Sequence, residues 1–104
     1  MHERGVVVVA ADPFGHTPRR PYLVVSSEDH PFAGDQYIAL GITTQSYAES
    51  ISLTGAFETG ALERDSFVSP WAVVSLRDAD VDRAIARVTD ELTATAVEKL
   101  MQYV

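Results

Sequence analysis

Apolar positions along this chain come in short blocks separated by turn-forming clusters, and the spacing inside each block predicts its element. Gly5 to Ala11 contains four consecutive valines between a glycine and Asp12-Pro13, the pattern of a buried β-strand. Asp12 to Arg20 carries Pro13, Gly15 and Pro18, so neither a helix nor a central strand can continue through it. Pro21 to Ser27 resumes as a strand, with proline tolerated at its first position. A second turn-rich connection, Glu28 to Asp35, leads into Gln36 to Thr44, whose β-branched and aromatic residues predict a third strand. Glu49 to Leu53 alternates polar and apolar residues with the period of a half-exposed strand. Gly55 and Gly60 are expected to bracket a loop. Ser66 to Leu76 is strand-like again, and Pro70 within it marks an edge, a bulge or a bend.

Asp78 to Val88 fits either helical spacing or a short last strand; a turn followed by a strand is the reading adopted. Thr89 can cap a helix whose first turn holds Asp90 and Glu91, favourable at the positive end of the helix dipole. Leu92, Ala96, Val97, Leu100, Met101 and Val104 then recur at three- and four-residue steps, which predicts one apolar helix face. The expected architecture is mostly β (α+β), a small barrel of five or six strands with a C-terminal helix, formed by residues 1–104 as a single domain.

Composition narrows the chemistry. The 104 residues include no cysteine, which excludes disulfides, thiolate metal sites and cysteine nucleophiles. The net charge is -7, and the 8 basic residues are arginines apart from Lys99. Such an acidic, lysine-poor surface suits a high-salt cytoplasm, where repulsion is screened, and it lacks the generic basic footprint of a nucleic-acid binder. The N-terminal apolar run is too short for a signal sequence, and no run approaches the roughly 20 residues of a membrane helix. A cytoplasmic location with no membrane association is expected. No phosphate-binding glycine loop or serine nucleophile elbow occurs, and His2, His16 and His30 are too scattered for a local metal pattern, so no metal and no cofactor are expected. Asp78, Asp80 and Asp82 lack the glycine and glutamate of a calcium loop and read as a solvated turn.

Three blocks carry a resemblance. Arg20-Pro21-Tyr22-Leu23-Val24-Val25-Ser26, then Ile42-Thr43-Thr44-Gln45, then Leu62-Glu63-Arg64-Asp65-Ser66-Phe67-Val68 resemble, in order and spacing, successive blocks of the PemK/MazF toxin family, and the similarity runs from Gly5 to the C-terminal helix. The sequence departs from that family at Gly5-Val6, where Gly-Asp is common, and at Ala72-Val73-Val74-Ser75, where Gln-Ile-Arg-Thr often stands. The resemblance implies an SH3-like barrel of the PemK/MazF/CcdB kind and a homodimer. It further implies a cognate antitoxin and a metal-independent endoribonuclease of a toxin-antitoxin system that cleaves single-stranded RNA, such as mRNA, at specific sequences. The alternative is a catalytically silent barrel that binds RNA or protein, or a gyrase-directed toxin on the same fold.

The implied reaction is attack of a ribose 2'-hydroxyl on the adjacent phosphate, giving a cyclic phosphate and a free 5'-hydroxyl. Arg20 takes the family's catalytic arginine position. A guanidinium gripping two phosphate oxygens suits stabilisation of a crowded, negatively charged phosphorane, whereas a pKa above about 12 makes it a poor base. Thr43 matches the catalytic threonine, with Thr44 as its substitute. Arg19, Thr44, Phe14 and His16 are the candidate substrate-binding residues, the first by steering phosphate. His16 and His30 have the near-neutral pKa that Arg20 lacks. Trp71, Tyr22, Phe14 and Phe32 could stack unpaired bases or simply be core, and a dimer interface is expected around Leu100 and Met101.

Overall fold

The structure is a computed structural model that describes residues 1–15 and 18–104. Seven strands precede one helix: β1 (Val6–Ala10), β2 (Arg20–Val24), β3 (Gln36–Thr43), β4 (Ile51–Ser52), β5 (Phe57–Gly60), β6 (Phe67–Arg77) and β7 (Val81–Val88), then α1 (Asp90–Met101). They form one sheet in the order β4-β6-β3-β2-β1-β7-β5, with every pairing antiparallel. Neighbouring residues on a strand point to opposite faces, and here both faces are covered. Val7, Leu23, Leu40, Ile42 and Val88 gather with Leu92 and Ala96 of α1, while Val8, Tyr22, Val24, Tyr37 and Leu76 build a second cluster. Burial on both faces explains why β1 is a continuous apolar run rather than an alternating one.

The sheet has seven strands where five or six were expected, and its ends, β4 and β5, are not paired with each other. The barrel is thus a curled half-barrel. The extra strand is Phe57–Gly60, read from its flanking glycines as loop. Gly60 has φ +70°, and a Cβ there would run into the Ile85 carbonyl oxygen. This glycine allows β5 to approach β7 closely.

Pro70 does mark a bulge. Leu40 pairs with Val73 and Gly41 with Ser69, so Pro70, Trp71 and Ala72 are extra residues on β6. Gly41 makes room for them, since a Cβ on it would stand 3.3 Å from that of Ala72. The turn-then-strand reading after Arg77 also holds, as a 3₁₀ turn at Asp78–Asp80 followed by β7.

Thr89 caps α1, its side-chain oxygen accepting from the Leu92 N–H at 3.1 Å. The helix buries Leu92, Thr93 and Ala96, and Val97 and Leu100 pack against the same core. The apolar face ends there, because Met101 and Val104 are exposed. Of the two residues expected at a dimer interface, Leu100 is engaged in its own core. Among the described residues no helix is long and apolar enough to cross a membrane.

Candidate active site

Three strand ends converge beside Arg20. Tyr22 on β2 pairs with Gly41 on β3, and carrying that antiparallel register two residues further sets Arg20 across from Thr43. Thr43 in turn pairs with Phe67 on β6, whose preceding residue is Ser66. Arg20, Pro21, Ile42, Thr43, Thr44 and Ser66 line a cavity of about 220 Å³.

The polar groups around this cavity are held but not exhausted. Arg20 is half-buried, and its Nη2 donates one long hydrogen bond, 3.5 Å, to the Ile42 carbonyl oxygen. Among the described residues no carboxylate comes within ion-pair distance of it, although Arg19, Arg77 and Arg87 all have acidic partners. A guanidinium left with spare donors in so acidic a chain is suited to an anion. The Thr43 oxygen accepts from the Gln45 N–H at 3.2 Å, which leaves its own hydroxyl proton to donate. Ser66, buried, donates to the Arg64 carbonyl at 2.9 Å and so ties the incoming loop to the cavity wall. Beneath Arg20, burial first and then the Asp12 charge push the Tyr22 phenol pKa up, while the Arg20 charge pulls it down.

Arg20, Thr43 and Thr44 are therefore brought together; the other expected site residues are not. Arg19 turns away to Asp82, 3.1 Å from its carboxylate. Phe14 is 69% exposed on the β1–β2 loop and does not line the cavity. His16 lies outside the described residues. His30 stays in its own turn, where its Nδ1 accepts from the Phe32 N–H at 2.9 Å. The aspartates 78, 80 and 82 serve separate partners, the Tyr37 hydroxyl, Arg77 and Arg19, and among the described residues no group of three or more metal-ligating side chains assembles. Ser66 is a cavity residue to which sequence reasoning gave no role, although it stands inside one of the three matching blocks.

The fold is that of the MazF toxins. One similar solved structure is the Mycobacterium tuberculosis toxin MazF-mt6, with a TM-score of 0.74 at 16% identity over 93% of each chain. An endoribonuclease from a mycobacterial species gives a TM-score of 0.74 at 16% identity, covering 97% of this chain and 88% of that one. A chain of a MazE-MazF structure from Deinococcus radiodurans gives 0.72 at 20% identity, covering 98% of this chain and 93% of that one. By sequence, neither a protein-family model nor a curated protein matches the chain.

Proposed function

We propose that this chain is an endoribonuclease toxin of the PemK/MazF type, cutting single-stranded RNA at the Arg20 cavity. The observation that carries the reading is the meeting of Arg20 and Thr43, distant in sequence, at one cavity on a fold shared with endoribonucleases. The 2'-oxygen of a ribose forms a bond to the adjacent phosphorus, the bond to the 5'-oxygen breaks, and a 2',3'-cyclic phosphate is left. The proton of the 2'-hydroxyl passes to solvent, and the leaving 5'-oxygen takes one up. Arg20 offsets the charge that grows on the non-bridging oxygens, which is where preorganised donors lower a barrier most. Thr43 adds a neutral hydrogen bond to one of those oxygens.

The same reading carries a cognate antitoxin, because a similar mycobacterial endoribonuclease has been solved with its own antitoxin, and a homodimer, which rests on the resemblance to the PemK/MazF family alone. It also places the chain in a cytoplasm, one of high salt given its net charge of -7. The test is incubation of the purified protein with mixed-sequence single-stranded RNA in high salt and EDTA, followed by end-group analysis. Cyclic phosphate and 5'-hydroxyl ends support the reading. Intact RNA in the presence of folded protein leaves the silent barrel as the better account.

A further inference from the structure

Trp71 is the chain's single tryptophan, and the Arg20 cavity makes no use of it. The β6 bulge turns it outward, 44% exposed, with its ring edge-on to Tyr47 at a centroid distance of 5.8 Å and an interplanar angle of 79°. Together with Ala48, Glu49 and Tyr103 these two rings line a cavity of about 370 Å³. Two of its polar groups are already engaged: the Glu49 carboxylate holds Lys99 at 3.0 Å, and the Tyr47 hydroxyl donates to Gln45 Oε1 at 2.5 Å. Half-exposed aromatic walls suit a ligand that has flat apolar faces and polar edges.

From this geometry we infer that the Tyr47–Trp71 cleft is a stacking subsite for an unpaired nucleobase close to the phosphate held at Arg20, an inference that rests on the proposed nuclease reading. Continuity is the first argument. The Gln45 N–H donates to the Thr43 hydroxyl and its side chain accepts from Tyr47, so one short loop joins the cavity to the cleft. Four residues reach at most about 14 Å. Charge is the second. With 15 acidic against 8 basic residues, the chain lacks the phosphate attraction on which most RNA binders rely. Base stacking on an aromatic ring contributes about 5- to 150-fold in affinity per base and does not depend on sequence. Ion pairing of Glu49 with Lys99 also removes an uncompensated negative charge from the rim.

Because Trp71 is the only tryptophan, its fluorescence reports on the cleft directly. A mixed-sequence oligodeoxynucleotide carrying uracil, which lacks the attacking hydroxyl, should quench it saturably, and Arg20→Ala should still show the quench. In cleavage assays Trp71→Ala should raise KM about 5- to 150-fold while lowering kcat far less, a split that a merely structural role would not give, and Trp71→Phe should recover most of the loss. Arg20-dependent cleavage with unmoved fluorescence and an unchanged KM in Trp71→Ala would overturn the subsite and leave the nuclease intact. Fluorescence that responds to protein concentration and not to the oligonucleotide would assign the cleft to a second copy of the chain, which also overturns it. Quenching without any cleavage would keep the stacking site and remove the nuclease reading.

Discussion

Arg20→Ala should separate chemistry from folding, because the structure gives this side chain little to do in holding the sheet. Its hydrogen bond to Ile42 is 3.5 Å long, at the outer limit of a useful contact, and no ion pair with a described residue is lost. Removing it should cost less than about 1 kcal/mol of stability. For a domain of this size that is a fall in Tm of under about 8 °C. The effect on cleavage should be of another order: deleting a donor aimed at developing charge lowers rates by about 100- to 1,000-fold, or ~2.7–4 kcal/mol of barrier. Arg20→Lys keeps the charge and loses the planar fork, so it should recover at most about tenfold. The assay is single-turnover cleavage of a fluorogenic RNA, run beside thermal melts of the same preparations. Wild-type cleavage by Arg20→Ala would refute the catalytic assignment. A Tm loss well beyond about 8 °C would instead assign Arg20 to the fold.

Four further outcomes can be checked. Thr43→Ala should slow cleavage by about fivefold to tenfold, the loss of one neutral hydrogen bond, and Thr43→Ser should stay near wild type in the same assay. Gly60→Ala should destabilise by more than about 1 kcal/mol, seen in chemical denaturation, because the new methyl meets the Ile85 carbonyl at φ +70°. The Tyr37 hydroxyl donates to Asp78 at 2.6 Å, and burial first, then that bond, raise its pKa above the ordinary 10.0. The folded chain holds this proton more tightly than the unfolded one, so the stabilisation is complete below pH 10 and is lost as pH rises through the folded value. Tyr37→Phe should therefore lower Tm at neutral pH by an amount equivalent to about 1–3 kcal/mol and flatten the alkaline decline. Finally, cleavage should peak at elevated salt, since counterions weaken phosphate binding while a charge of -7 needs screening to stay compact; highest activity in dilute buffer would contradict this.

Elements that depend on local patterning were legible in the sequence. The valine run of β1, the third strand, an irregularity at Pro70 and the Thr89-capped helix all follow from periodicity, proline chemistry and capping, which act over a few residues; that the irregularity is a bulge came from the pairing with β3. The resemblance pointed to Arg20 and Thr43 together, and both line one cavity. What sequence could not decide depends on contacts between distant segments. Phe57–Gly60 became a strand because β7 supplies its partner, and Gly60 read as loop because a glycine needed for close approach looks the same as one needed for a turn. Arg19 and Arg20 are adjacent in the chain, yet only the second reaches the cavity. Strand alternation sends neighbours to opposite sides, and Asp82, far along the chain, holds the first. Trp71 is core-like by composition, and its outward placement follows from the bulge that Gly41 of the neighbouring strand accommodates. Local sequence sets which backbone shapes are accessible here. Pairing across the sheet sets which side chains meet, because a cross-strand contact depends on register, and register is settled only when the whole sheet closes around its two cores.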